Sequence, residues 1–389
     1  MNGEAMSIIR DFNLKNLTAG TVSALLAITG APAIILEGAA NGHFTTEQTV
    51  LWAFSVFFFG GMLSIVVPLY YRLPVAGASS LTGLAFLATM TSQYTYNELL
   101  GAYFICACLM LVMGLMGVFS KLMDYIPKEI IAAMLAGMIT KYIVNFVLAI
   151  KVLPLVGGSA LLVYILSSKW QLRLPPMVAG VVTATLLLFL TQPLPLDSSA
   201  FAEGFVLPQL QLLEFNLISV ISVSLPLALI VLSNDAAVGL SAVEQNGYRP
   251  PFDRLVSLSG IFSMAASLFG GSTSNVAGMM STICASDDSG PHDKRYIGAA
   301  VSGLIISVFA LLSWKLIPII QVLPKEFVAI IAGFSLIGVF SNSLALAFSS
   351  PEKKLSAALT FVIAVSNISV FNISSPVWAL AIGTLIARL

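Results

Sequence analysis

The sequence predicts an all-α polytopic membrane protein with about fourteen transmembrane segments, arranged as two inverted repeats of seven segments. Composition, internal repetition and the distribution of basic residues support this prediction. Hydrophobic residues make up 58% of the 389 positions and charged residues only 9%. Soluble domains contain about a quarter charged residues, whereas hydrocarbon excludes them at roughly 3 kcal/mol each at a helix centre. The composition therefore predicts a chain embedded in a bilayer.

The apolar runs between charged or Gly/Pro-containing breaks define the segments. Several of them are shorter than the 20 residues that a full span needs, and among these the third and tenth are equivalent under the internal repeat of the chain. We therefore expect half-membrane helices, each preceded by extended chain, near 75–90 and 272–286, meeting at the membrane midplane. The predicted segments lie near 16–41, 46–71, 75–90, 97–120, 127–141, 152–168, 174–192, 215–242, 254–269, 272–286, 295–318, 324–340, 354–371 and 373–388.

Three motifs recur in the same order along both halves of the chain. They are Gly-Ala-Ser-Ser at 77–80 against Gly-Ser-Thr-Ser at 271–274, Gly-Ala at 101–102 against 298–299, and Pro-Lys-Glu at 127–129 against 324–326. The first pair is offset by 194 residues and the other two by 197. We interpret residues 1–192 as the first repeat, 193–214 as an external loop and 215–389 as the second repeat.

The basic residues orient this arrangement. With the N-terminus in the cytoplasm, fourteen lysines and arginines lie inside and four outside, as the positive-inside rule requires. The four outside are Lys141, Lys151, Lys315 and Lys325; the fourteen inside include Lys121 and Arg173. The long loop carries the acidic residues Asp197, Glu203 and Glu214. Seven is an odd number, so the second repeat must enter from the opposite side. Both termini are then predicted to be cytoplasmic, and such inverted repeats usually form a transporter around a central site.

Small polar residues at the two half-helices are the candidate substrate ligands. Two inverted helix N-termini at the midplane would direct their free N–H groups and positive dipole ends to one place, which favours an anion. The alternative is that small residues there only permit tight helix packing. The candidates are Ser79, Ser80, Ser272, Thr273, Ser274 and Asn275.

Two acidic residues lie inside apolar runs, Glu37 in the first segment and Asp235 in the eighth. A buried carboxylate without a cation partner avoids the cost of its charge by binding a proton, which makes both residues candidate proton carriers. The alternative for each is a hydrogen-bonded structural acid. Asn234 precedes Asp235, and the repeat alignment places Asp235 opposite Gly30 in the stretch Thr29-Gly30-Ala31-Pro32. Gly30 and Pro32 are expected to loosen the first helix towards a cavity, so Gly30, Ala31 and Asn234 are further candidate substrate ligands.

Other function classes receive little support from the sequence. Three scattered cysteines and two distant histidines do not form a metal or disulfide pattern, and no cofactor is expected. The net charge of zero gives no indication of nucleic-acid binding, and no nucleotide-binding glycine motif is present. An enzyme is not expected, because no nucleophile and base stand together. Any coupling must come from an ion gradient.

The chain resembles the benzoate/proton symporter family along nearly its whole length. The matching motifs are Arg72-Leu73-Pro74-Val75, Leu225-Pro226-Leu227 with Gly239 and Gly247-Tyr248, and Phe269-Gly270-Gly271 with Asn275 and Ile283-Cys284. The resemblance implies the seven-plus-seven inverted-repeat fold shared with uracil permease-like and sulfate permease-like transporters. It also implies a core domain from 16–120 and 215–318, and a gate domain from 127–192 and 324–388.

The expected function is proton-coupled symport of benzoate or a similar small organic anion across the inner membrane. The expected partners are that anion, protons and the lipid bilayer, with a possible homodimer through the gate domain. Two alternatives remain open, a nucleobase-type proton symporter and an anion exchanger or channel without proton coupling. Uptake that persists when the proton gradient is collapsed would favour the exchanger or channel.

Overall fold

The computed structural model describes residues 10–117, 127–170, 175–192, 205–366, 368, 370 and 373–388. Four charged residues used in the orientation argument lie outside these ranges, as does the part of the predicted external loop at 193–204. They are Lys121, Arg173, Asp197 and Glu203. The assignment of the cytoplasmic side stays a prediction.

The first half of the chain contains seven helices and one short strand among its described residues. In order they are α1 (Leu14–Asn41), α2 (Thr46–Tyr71), β1 (Gly77–Ala78), α3 (Leu81–Met90), α4 (Tyr96–Met116), α5 (Lys128–Val152), α6 (Pro154–Lys169) and α7 (Pro176–Thr191). Asparagine or threonine residues cap α1, α2 and α4 through reciprocal side-chain bonds to the third residue of the helix, which satisfies free N–H groups at the helix start.

The described elements of the second half follow the same order, and a further helix, α12, lies between α11 and α13. Its elements are α8 (Leu217–Gln245), α9 (Phe252–Leu268), β2 (Asn275–Val276), α10 (Gly278–Ala285), α11 (Tyr296–Leu311), α12 (Ser313–Gln321), α13 (Lys325–Ala347), α14 (Lys354–Ser366) and α15 (Ser375–Arg388). The predicted segment 295–318 thus forms two helices, α11 and α12. Seven of the described helical stretches are long and apolar enough to cross a membrane.

The prediction of two half-helices is confirmed, but the second begins later than expected. The helix α3 has ten residues and α10 has eight. The chain at 272–277 is extended, so α10 starts at Gly278 and corresponds to the start of α3 at Leu81 with an offset of 197 residues. The sequence alignment at an offset of 194 is therefore wrong by three residues. It matched glycine and hydroxyl residues, whereas the helix starts follow the same offset as the other two motifs.

The strands β1 and β2 pair with each other in antiparallel register. Gly77 lies opposite Val276 and Ala78 lies opposite Asn275. Ser281 of α10 extends this pairing, because its hydroxyl accepts from the Ala76 N–H at 3.0 Å and donates to the Ala76 carbonyl at 3.3 Å. Equivalent strands of the two halves therefore run in opposite directions, and the two half-helices begin side by side at this sheet.

Two further expectations from the sequence need correction. Gly30 and Pro32 do not break the first helix, since α1 is continuous from Leu14 to Asn41 with Pro32 inside it. The fifth segment does not end near residue 141, because α5 continues to Val152. Proline is tolerated within a membrane helix where neighbouring helices surround the freed carbonyl, and Pro32 is buried here.

Helix packing separates two groups of elements. In the first group, α11 packs on α1 and α2, α3 packs on α1, and α9 packs on α4. In the second group, α13 and α14 both pack on α5. The helices α6 and α7 pack on each other, and α1 contacts both α13 and α7. The division into core and gate domains stays a prediction, and α1 and α13 are the elements that would meet across it.

The glycines around β1 give a testable prediction about this arrangement. A Cβ atom at Gly60 of α2 would lie 2.9 Å from the Cα atom and 3.1 Å from the carbonyl carbon of Ala78. These are backbone atoms of the paired strand and cannot rotate away. We expect Gly60→Leu to lower the free energy of unfolding by about 1–3 kcal/mol, the usual cost of overpacking.

The measurement is thermal or denaturant unfolding of the purified protein in detergent. Gly158→Leu is the matched control, because no atom lies within 4 Å of a Cβ built at Gly158 in α6. Equal stability of the Gly60 and Gly158 variants would show that the strand pair does not need the close approach of α2.

Candidate functional site

A cavity of about 300 Å³ lies where the two half-helices begin. Five elements or their flanking residues form its walls: α1, the β1–α3 segment, α8, the β2–α10 segment and α13. Most of the lining surface is apolar, and the polar groups are concentrated on α8, at the half-helix N-termini and on one part of α13. An apolar cavity with a few convergent polar groups is the usual form of a small-molecule site.

The N-termini of the half-helices differ in how their free N–H groups are satisfied. At α3 the Ser80 hydroxyl accepts a bond of 2.8 Å from the Gly83 N–H, so a side chain caps this helix. At α10 the capping position is Ala277, which provides no side-chain acceptor. Gly278, Met279 and Met280 in the first turn of α10 line the cavity. This turn therefore offers uncapped N–H groups and a positive dipole end to a ligand.

The helix α8 presents two consecutive polar residues, Asn234 and Asp235, to the cavity. It can do so because residues Val231–Ala236 form a π-helical turn, in which the Ala237 N–H bonds the Leu232 carbonyl five residues earlier. Such wider turns alter the direction of successive side chains and are frequent at functional sites. The Asn234 Nδ2 atom is buried and has no hydrogen-bond partner among the described residues. It is a donor available to a ligand.

The Asp235 carboxyl is held from the opposite wall. The Ser80 hydroxyl donates to its Oδ2 atom, and Thr82 in the first turn of α3 also bonds to this carboxyl. The same Ser80 hydroxyl caps α3, so one side chain links the half-helix, the acid and the cavity wall. No salt bridge to Asp235 occurs among the described residues. This carboxyl can therefore be either ionised against two hydroxyls or protonated.

One face of α13 forms a further wall of the cavity. Its residues recur at intervals of about one helical turn: Gly338, Val339, Asn342, Ser343 and Leu346. The remaining wall comes from α1, through Leu26, Ala27 and Ala31. Apart from the two polar residues on α13, these walls are apolar. They would contact the hydrophobic part of a ligand.

Four of the residues expected at a binding site line this cavity: Ala31, Ser79, Asn234 and Asp235. Ser80 lies directly behind it as the partner of Asp235. Gly30 lies elsewhere, at a helix crossing, where a Cβ atom would come within 2.9 Å of the Ser335 hydroxyl of α13. Because Gly30 has no side chain, α1 can pack closely against α13 at this position.

The structure does not bring Ser272, Thr273, Ser274 and Asn275 to the cavity. All four are buried in the extended chain before α10, and none of them lines the cavity. The Trp52 indole N–H donates to Ser272 at 3.5 Å, and Ser263 exchanges two bonds of 2.9 Å with the Ser274 backbone. The Ser274 hydroxyl and the Asn275 Oδ1 atom are buried without a hydrogen-bond partner among the described residues, and Ala277–Met280 line the cavity instead.

Glu37 lies in a second cavity of about 660 Å³ and not with Asp235. Asn41, Asn145, Gln321, Lys325 and Glu326 also line this second cavity. It reaches α13 at residues 325–329, whereas the first cavity reaches the same helix at 338–346. Residues 329 and 338 are nine positions apart on α13, which corresponds to about 14 Å along the helix axis. The two acids therefore belong to cavities at opposite ends of α13.

Several lining residues were missed by sequence reasoning. Thr82, Gly278, Gly338 and Asn342 belong to the cavity but were not among the expected site residues. Applying the offset of 197 residues to the start of α3 would have identified Gly278. Nothing in the sequence separates Gly338 and Asn342 from the other small or polar residues of α13, because the neighbouring helix face decides their role.

A family model described as the benzoate membrane transport protein matches residues 10–389 of the chain. The benzoate membrane transport protein of Acinetobacter baylyi is 28% identical over 380 residues, covering 97% of this chain and 95% of that protein. The inner membrane protein YdcO of Escherichia coli is 27% identical over 368 residues, covering 94% and 93%.

Two solved structures share the fold at 12% sequence identity. The transmembrane domain of the cyanobacterial bicarbonate transporter BicA aligns with a TM-score of 0.57, covering 97% of both chains. The murine anion transporter Slc26a9 in its inward-facing state aligns with a TM-score of 0.64, covering 97% of this chain and 68% of that one. Both confirm the seven-plus-seven inverted-repeat architecture. With the family match, they lead to one conclusion: the chain belongs to the benzoate membrane transport protein family, and it is a multi-pass membrane transporter, not an enzyme.

Proposed function

We propose that this protein is a proton-coupled symporter that carries benzoate or a similar small aromatic carboxylate across the inner membrane. The observation that carries the proposal is the cavity in which the uncapped N-terminus of α10 and the carboxyl of Asp235 both meet an otherwise apolar wall. The family match and the name of the Acinetobacter relative support benzoate as the first substrate to test.

The cavity has the chemistry that an aromatic carboxylate needs. The backbone N–H groups in the first turn of α10 and the unpartnered Asn234 amide would bind the carboxylate oxygens. Leu26, Ala27 and Val339 would contact the ring. No arginine or lysine is among the described residues that line the cavity, so a single negative charge matches the available donors better than two charges do.

Coupling follows from two carboxylates in one cavity. A bound anion and an ionised Asp235 would repel each other in a site of low dielectric, and this repulsion is removed when Asp235 takes up a proton. Anion and proton would then bind together, as symport requires. Ser80 and Thr82 would hold the acid in place in both protonation states.

Movement between the two sides of the membrane would use the contact between α1 and α13. The cavities with Asp235 and Glu37 reach opposite ends of α13, so a displacement of the core elements along this helix would move the site from one end to the other. We propose an elevator or rocking movement of the core against the gate. The excess of basic residues on one side supports cytoplasmic termini. A homodimer through the gate helices is part of the same proposal, and crosslinking in native membranes tests it.

A ligand panel tests the substrate class. A ligand that binds the folded protein raises its unfolding temperature, by an amount that grows with the ratio of ligand concentration to dissociation constant. We therefore expect benzoate to stabilise the purified protein while uracil, sulfate and bicarbonate leave it unchanged. A thermal-shift assay at equal ligand concentrations measures this. Stabilisation by uracil alone would replace the proposal with nucleobase transport, and stabilisation by inorganic anions alone would replace it with anion exchange.

Replacing the proposed proton carrier tests the coupling. Asp235→Asn would resemble the protonated state, so this variant should exchange benzoate across a liposome membrane but fail to accumulate it against a gradient. Counterflow and proton-driven uptake, measured on the same proteoliposomes, separate the two activities. Glu37→Gln is the matched control, because that acid lies in the other cavity. Uphill uptake that survives in Asp235→Asn and disappears in Glu37→Gln would make Glu37 the carrier.

The pH dependence of binding gives an independent check. If binding takes up a proton at Asp235, benzoate affinity should weaken as pH rises, by at most about tenfold per pH unit. The slope should be absent in Asp235→Asn, since the amide does not titrate. Isothermal titration calorimetry between pH 6 and about pH 9 measures both slopes. Equal slopes in the two proteins would remove Asp235 from the coupling mechanism.

A further inference from the structure

We infer that Gly338 sets the size of the aromatic ring that the transporter accepts, by leaving open the part of the cavity wall that α13 forms. This inference rests on the proposed function, because it concerns the ring of the proposed aromatic carboxylate. It assigns a specificity-determining role to a residue in the middle of a gate helix.

The space around Gly338 belongs to the cavity. A Cβ atom built at this position meets no atom within 4 Å, and Gly338 lies among the residues that line the cavity. The position is exposed, although the helix on either side packs against other elements. A side chain here would therefore project into ligand space without displacing protein atoms.

Helix packing does not account for this glycine. Gly333, five residues earlier on α13, is a packing glycine, since a Cβ atom there would collide with the ring of Phe146 on α5. Gly338 has no such neighbour. A glycine inside a helix is less stable than an alanine, so its presence at an uncrowded position is explained by the open volume that it provides.

The position of Gly338 determines which ring substituents of a ligand would contact it. The proposed carboxylate donors lie on α8 and α10, and Gly338 lies on a different wall of the cavity, formed by α13. A ligand held by its carboxylate would direct the far side of its ring towards α13. Substituents at the meta or para position would then enter the space next to Gly338, whereas unsubstituted benzoate would leave part of it free.

The test compares benzoate with 3-methylbenzoate and 4-methylbenzoate in the full-length protein. One methyl group in a tight apolar pocket changes affinity by about 10-fold to 200-fold. We expect Gly338→Ala to weaken at least one methylbenzoate about tenfold relative to benzoate. The larger Gly338→Val should weaken benzoate as well. Calorimetry measures the dissociation constants, and proteoliposome uptake measures transport of the same three acids.

Gly158→Ala and Gly158→Val are the matched controls, because Gly158 has equally free surroundings but does not line the cavity. They should leave all three affinities unchanged. Unaltered affinity ratios in both Gly338 variants would overturn the inference. So would variants that bind all three acids normally but transport none, since Gly338 would then serve the movement of α1 past α13. If the wild-type protein binds none of the three acids, the proposed function fails, and the inference fails with it.

Discussion

The structure depends on how the backbone is satisfied where two chain segments leave helical geometry inside the membrane. Hydrocarbon offers no hydrogen-bonding partners, so extended chain is tolerated there only when protein groups bind its N–H and C=O groups. Here the two segments satisfy each other through the β1–β2 pairing, and Ser281 and Ser263 bind the backbone of Ala76 and Ser274. This requirement brings two helix N-termini together, and the cavity forms beside them.

The two inverted repeats provide this framework symmetrically but make the site itself asymmetric. Ser80 caps one half-helix, whereas Ala277 leaves the other uncapped. Asp235 lies on α8, and its corresponding region of α1 contributes Ala31 to the same cavity. A symmetric site would bind a carboxylate equally in two orientations. For the proposed aromatic carboxylate, the different helix ends would favour a single orientation, with the charged end near α10 and the apolar end towards α13.

The Ser80 hydroxyl takes part in both the capping of α3 and the hydrogen bond to Asp235. The hydroxyl oxygen accepts the capping hydrogen bond from the Gly83 N–H, and the same hydroxyl donates a hydrogen bond to the Asp235 carboxyl. A change in the charge of Asp235 therefore alters a bond at the start of α3, next to the strand pair. This connection offers a direct route by which proton binding at the acid would reach the half-helix, without a separate chain of residues between them.

The sequence by itself determined the membrane class, the two inverted repeats and the existence of both half-helices, because hydropathy and segment length follow directly from the thickness and chemistry of the bilayer. It also identified Asp235 and Asn234, since polar residues inside apolar helices are rare enough to stand out. Only the tertiary structure decided which small residues line the cavity. Ser272–Asn275 and Ala277–Met280 are adjacent in sequence, and strand pairing buries the first stretch and turns the second towards the ligand space. The role of Gly338 likewise depends on the empty space facing it, which is a property of five packed elements and of no local sequence pattern.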